Sequence, residues 1–333
     1  MAYQTGIAQN ERDLLDKLNK FLTKDPVLVE NGQAWTVLYD QSFPATLTEV
    51  ERRKIMWKST GTGTEQHIYV GCETVNSIAK DTYNLNFYGG TYFNPELVQG
   101  ERMLDGIINR CPGVALFADA RPIEYHFVAD GRCCKVITRI SNVCSSAYFG
   151  FILPTVPPTE YPYPLCVAGS APVYYREGTS YSYKTVLIRY SNTTRETSSI
   201  VDPRCANCWL FTPDQSWRDF YGSSSVNNTN DSSYQWLYPL CNYQFYSSGY
   251  HSFVLDTQGP SLDGDYPLLP VEFLSTRHSS QGKNRWGAMD GVYHISGIQR
   301  AAGDQITLND GQRGIVFNGG HRSGTNDFFV VLI

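Results

Sequence analysis

The sequence predicts a mainly β protein, sandwich-like, with one amphipathic helix at its N-terminus. Three observations predict it: a single apolar stripe at helical spacing before Pro26, short aromatic and β-branched runs between polar breaks after it, and Asp-Gly pairs set between such runs. Hydrophobic residues make up 41% of the 333 positions and charged residues only 18%, which excludes a disordered chain.

Leu14, Leu15, Leu18, Phe21 and Leu22 form the helical stripe. Asn10, with Asp13 three positions on, fits an N-terminal cap, and Asp25-Pro26 stops the run. Strands are expected at 35–39, 54–58 and 67–73. Tyr83, Leu85 and Phe87 alternate with Asn84, Asn86 and Tyr88, the pattern of a half-exposed strand. The clearest hairpin runs from Ile123 to Ile140 around Asp130-Gly131, a pair suited to the positive φ angles of a type I′ turn. Gly61-Thr62-Gly63-Thr64 lacks the lysine and helix of a phosphate loop and reads as a hairpin tip.

Pro154 to Pro164 reads PTVPPTEYPYP, an extended connector laid over the first half, because proline fixes φ and removes a donor. It divides the chain into residues 1–153, the helix with a β domain, and residues 154–333, a β-rich C-terminal domain. Ser223 to Ser233 is a polar loop. Strands return at 268–273, 292–295, 306–308 and 315–317, with turns at Asp263-Gly264-Asp265 and Asp310-Gly311. The apolar end, Phe328 to Ile333, must be a covered strand, because exposed it would aggregate.

Net charge is -5 with no basic block, which argues against nucleic acid as a partner. No apolar run of about 18 residues predicts a membrane span, and the first residues do not read as a secretory signal. The sequence contains no nucleophile elbow, zinc-protease helix or Walker loop, so neither an enzymatic activity nor a cofactor is expected. Carboxylate pairs such as Glu124 with Asp130 need geometry before they mean anything. His126, between Tyr125 and Phe127, reads as a hydrogen-bonded strand residue.

Nine cysteines cannot all pair within the chain, and most are expected to be free core thiols. Cys205 and Cys208 form a lone CxxC with no second ligand pair, so no metal is assigned. Adjacent Cys133 and Cys134 cannot both face one side of a strand, so one thiol points elsewhere. With Cys205, Cys208 and Cys241 they are the candidates for bridges formed after exposure to an oxidising medium.

Tyrosine is abundant, and arginine outnumbers lysine eighteen to nine. Both biases favour surface covered by neighbouring subunits. Tyr161, Tyr163, Tyr174, Tyr175 and Trp236 are the candidate interface residues. The rival reading is sugar recognition, with the same rings stacking on pyranoses.

Tyr3-Gln4-Thr5-Gly6 with Asp13 to Leu18, Ala147 to Pro154, Tyr161 to Leu165, Tyr266 to Pro270, Asp290 to Gly297, and Asn326-Asp327-Phe328 are patches that fall in order over nearly the whole chain. Together they resemble a family of virion structural proteins of tailed bacteriophages. The resemblance implies a structural subunit of the neck, collar or tail. Such a subunit is assembled in the host cytoplasm, resides in the virion and contacts copies of itself and other virion proteins. A tail-tip adhesin that binds glycans is the alternative.

Overall fold

A computed structural model describes residues 1–45, 51–61, 66–77, 82–141, 143–172, 208–220, 234–239, 259–276, 283–318 and 328–333. It is mainly β, with three large antiparallel sheets. The central sheet is ordered β1 (Ala2–Ala8), β9 (Ile123–Ala129), β10 (Cys133–Ile140), β11 (Val143–Phe151), β13 (Leu165–Ala168), β15 (Cys208–Phe211) and β16 (Trp217–Asp219). A second sheet runs β14 (Ala171–Pro172), β8 (Val114–Ala118), β5 (Thr82–Gly90), β4 (Ile68–Ser77), β3 (Arg52–Ser59) and β2 (Thr36–Phe43). The third runs β17 (Tyr234–Tyr238), β18 (Leu269–Thr276), β19 (Lys283–Ile295), β22 (Phe328–Leu332), β21 (Arg313–Asn318) and β20 (Gln305–Thr307). β12 (Leu153–Pro154) joins this sheet on β19, and β6 (Tyr92–Phe93) pairs with β7 (Ile107–Ile108).

The central sheet is buried on both faces. Phe127, Cys134, Val136, Phe149 and Val167 point into one core with Trp57, Val70 and Phe87 of the second sheet. Val128, Cys133, Ile137, Tyr148 and Cys166 point into another with Phe273, Val292, Phe317 and Phe329 of the third. The architecture is therefore a three-layer stack. Phe149 shows how tightly the first core fits: its ring lies 4.9 Å from Phe87 and 5.7 Å, edge-on, from Trp35. Such aromatic pairs contribute roughly 0.5–1.5 kcal/mol each beyond the area they bury.

Helix α1 (Glu11–Lys24) closes the first core with the predicted stripe, Leu14, Leu15, Leu18, Phe21 and Leu22. Asn10 caps it by accepting from the Arg12 and Asp13 N–H groups at 3.1 and 3.0 Å. Asp25 ends α1 and caps the short α2 (Pro26–Glu30), with Pro26 in the first turn, where its missing N–H costs nothing.

The hairpin β9–β10 forms as expected, but its turn is not type I′: neither Asp130 nor Gly131 has a positive φ. Instead the Asp130 carboxylate accepts from the Arg132 and Cys133 N–H groups at 2.7 and 2.9 Å, a side-chain-closed turn. The tip is held from outside, since Gly61 N–H donates to Gly131 O and the Trp35 indole N–H to Asp130 O. Asp310-Gly311 and Asp263-Gly264-Asp265 are turns, with Gly311 and Gly264 both at φ 85. The C-terminal strand is covered, because β22 lies between β19 and β21 with Phe329 to Val331 buried.

The proline tract at 154–164 links β11 to β13, two strands paired with each other in the central sheet. Its far end meets the first half, where Tyr161, Pro162 and Tyr163 share a cavity wall with Thr91 and Asn109, and its start runs along the third sheet. Leu153 and Pro154 pair with Ala288 and Gly287, and the Thr155 hydroxyl donates to Arg285 O at 2.6 Å, which fastens the tract to the third sheet.

Candidate functional site

The second sheet carries a cleft of about 560 Å³ on the side away from the central sheet. Three neighbouring strands supply its floor: Lys54 on β3 lies opposite Glu73 on β4, and Glu73 opposite Asn86 on β5. A 3-10 segment, Gly100–Gly106, and the chain from Arg110 to Pro112 form the rim. Leu104 anchors that segment in a small apolar cluster with Phe43, Met56 and Ile107. It sits so close over Gly71 that a Cβ there would stand 2.4 Å from Leu104 Cδ2.

The floor is a connected polar group. Lys54 Nζ is 3.1 Å from Glu73 Oε2, and the Tyr88 hydroxyl donates to Glu73 Oε1 at 2.7 Å. Burial, followed by the Glu73 charge, pushes the Tyr88 hydroxyl well above its ordinary pKa, so it acts here as a donor. Arg110 stacks over the Tyr88 ring at 5.4 Å and pairs with Asp105 at 3.3 Å. The sequence pattern had suggested a half-exposed β5. That reading is corrected: Asn84 and Asn86 are 8% and 3% exposed, and Asn86 shares its cleft with residues of the 100–112 segment. The alternation places Asn86 on one face of the strand, but the residues that share its cleft lie many positions away.

A second, smaller cavity of about 230 Å³ lies where the proline tract meets the end of β15, with Tyr161, Tyr163, Phe211, Asn109 and Gln215 in its wall. Tyr161 is not available to a neighbouring chain. It is 1% exposed, donates its hydroxyl to Phe211 O and meets Trp286 edge-on. Tyr163 is half-buried against Phe151. Trp236 lies on β17 in register with Leu274. Tyr174 and Tyr175 lie outside the described residues.

The thiol candidates separate in the same way. Cys133, Cys134 and Cys208 are free and buried, while Cys205 and Cys241 lie outside the described residues. The adjacent pair does face opposite sides, as the strand period requires, yet each side is a core. None of these three thiols reaches the surface, so they cannot bridge to another subunit in this fold.

Beside Cys133 the central and third sheets share a charged cluster. Donor atoms of Asp130, Cys133 and Asp290 lie within 4.8 Å of one another, a spacing compatible with a cation. Arg132 already supplies the positive charge, 2.5 Å from Asp290 and 3.7 Å from Asp130. Burial pushes the Cys133 thiol up to about 12, which keeps it protonated and a poor ligand. The cluster is an internal salt link between two layers.

The Glu124 and Asp130 carboxylates do not converge into a catalytic pair. Glu124 lies near the start of β9 and Asp130 just past its end, six residues apart, about 20 Å at strand rise. Glu124 pairs with Arg139 at 3.1 Å, and His126 receives a hydrogen bond to Nδ1 from, or gives one to, the Tyr3 hydroxyl at 3.0 Å. No protein-family model and no curated protein matches the chain.

Proposed function

We propose that this protein is a structural subunit of a tailed-phage particle, in the neck, collar or tail, that works by assembly with copies of itself and other virion proteins. The sequence patches given above support the class of particle. The observation that carries the mode of assembly is the edge of the central sheet. β1 pairs with β9 on one side, and among the described residues no strand pairs with its other side. Ile7 on that strand is 60% exposed. An open edge with an apolar side chain is a template for strand addition from a second chain. Assembly of this kind needs no covalent lock, which agrees with the burial of Cys133, Cys134 and Cys208.

The test is light scattering of the purified chain over a concentration series, together with mass spectrometry of purified particles. The expected result is a concentration-dependent oligomer, reduced to a monomer by Ile7→Lys, and the chain among the particle proteins. A monomer at every concentration, missing from particles, overturns the proposal.

A further inference from the structure

The cleft on the second sheet holds one buried polar atom that the fold leaves unsatisfied. Asn86 is 3% exposed, and its Oδ1 meets no hydrogen-bond donor among the described residues. Its amide nitrogen is engaged with the Tyr88 hydroxyl. A buried acceptor without a donor costs about 1–3 kcal/mol, so this floor is built to receive one from outside. Glu73 beside it adds further acceptor lone pairs. The rim has the opposite character, because Arg102 and Arg110 both line the cleft and Arg102 is exposed.

The charge balance narrows the ligand. Lys54, Arg102 and Arg110 face Glu73 and Asp105, one positive charge in excess in a chain whose net charge is -5. A compact dianion such as phosphate has no hydroxyl-rich flank for Asn86 Oδ1 and would sit against the Glu73 carboxylate. Arg110 already has Asp105 as its counter-ion, so a neutral sugar would leave the Arg102 guanidinium unanswered. A molecule with one carboxylate and several hydroxyls meets both ends, and the volume lies within the roughly 300–1,000 Å³ of ligand pockets. We propose that this cleft binds an acidic saccharide residue, a uronic acid, with its hydroxyls donating to Asn86 and Glu73 and its carboxylate held by Arg102 and Arg110. The site belongs to the single chain and does not rest on the assembly reading.

The experiment is isothermal titration of the full chain with a galacturonic acid trimer, a neutral glucose trimer, acetate and inorganic phosphate. The uronate is expected to bind at least about tenfold more tightly than each of the others, a difference of about 1.4 kcal/mol. Arg102→Gln, an exposed change that leaves the fold intact, should remove most of that preference. Asn86→Ser, used where its thermal midpoint matches the parent, should weaken the uronate about tenfold. Absence of uronate binding, equal binding of the neutral trimer, binding of acetate or phosphate as tight as the uronate, or an unchanged affinity in Arg102→Gln overturns the proposal.

Discussion

The Arg132 guanidinium spans 158 positions of sequence to reach the Asp290 carboxylate at 2.5 Å, joining the first turn of the central sheet to the third sheet. Asp290 is 8% exposed, and that arginine is the cation set against it. Arg132→Leu should cost about 2–3 kcal/mol, less than the roughly 3–5 of a fully buried pair, because the guanidinium keeps part of its hydration. Urea unfolding measures it. In a double-mutant cycle, Arg132→Leu with Asp290→Asn should recover part of the loss, and additive effects would show that the two residues are not coupled.

The described thiols should resist modification until the chain unfolds. Burial pushes Cys111 and Cys144 up to about 11 and Cys133 up to about 12, and it raises Cys134 and Cys166 well above the ordinary thiol value. Near neutral pH these groups are thiols, not thiolates, and they are shielded. Iodoacetamide followed by site mapping should leave Cys72, Cys111, Cys133, Cys134, Cys144, Cys166 and Cys208 unmodified in the native protein and label them all in urea. Native labelling of Cys133 or Cys134 would contradict the two-sided burial of the central sheet.

Much of this fold is legible in the sequence where the determining residues are close neighbours. Asn10 and Asp13 mark the start of α1, the hydrophobic end marks β22 as covered, and Asp130 marks the hairpin. The turn type was misjudged because an aspartate can close a turn through its own carboxylate as well as by adopting positive φ. Layering was not legible. Alternation along β10 separates Cys133 from Cys134, but whether both faces are covered depends on the third sheet, which is remote in sequence. The N-terminal strand β1 was missed for the same reason, since Tyr3 to Gly6 has strand form only through pairing with Val128 to Tyr125. The charged cleft was missed because Lys54, Glu73, Asn86 and Arg110 have no common spacing until three strands and a 3-10 segment bring them together.

Gly71 is a test of how the cleft rim is held. Its missing side chain lets Leu104 pack onto β4, and a Cβ would also come within 3.0 Å of Ile107 Cδ1. Gly71→Ala should lift the Gly100–Gly106 segment and lower stability by about 1–3 kcal/mol, the usual range for overpacking. Hydrogen exchange should quicken at residues 100–107 and stay unchanged in α1. Unaltered exchange at the rim would mean that Leu104 does not anchor it.

His126 gives the chain a pH dependence whose sign can be worked out. Burial holds its pKa below the ordinary 6.5, against the opposing pull of Glu124 at 3.4 Å. Around the ring stand the Tyr3 hydroxyl, the Glu124 carboxylate with its partner Arg139, and the Phe317 ring at 5.0 Å. In the unfolded chain the imidazole takes its proton near 6.5, before the folded protein does. The stability tied to neutral His126 is therefore complete above that value and is lost as pH falls through it toward the lower folded pKa. Urea midpoints at about pH 7.5 and about pH 5.5 should fall for the parent, and the fall should shrink in His126→Gln. An identical drop in both proteins would assign the pH dependence to other groups.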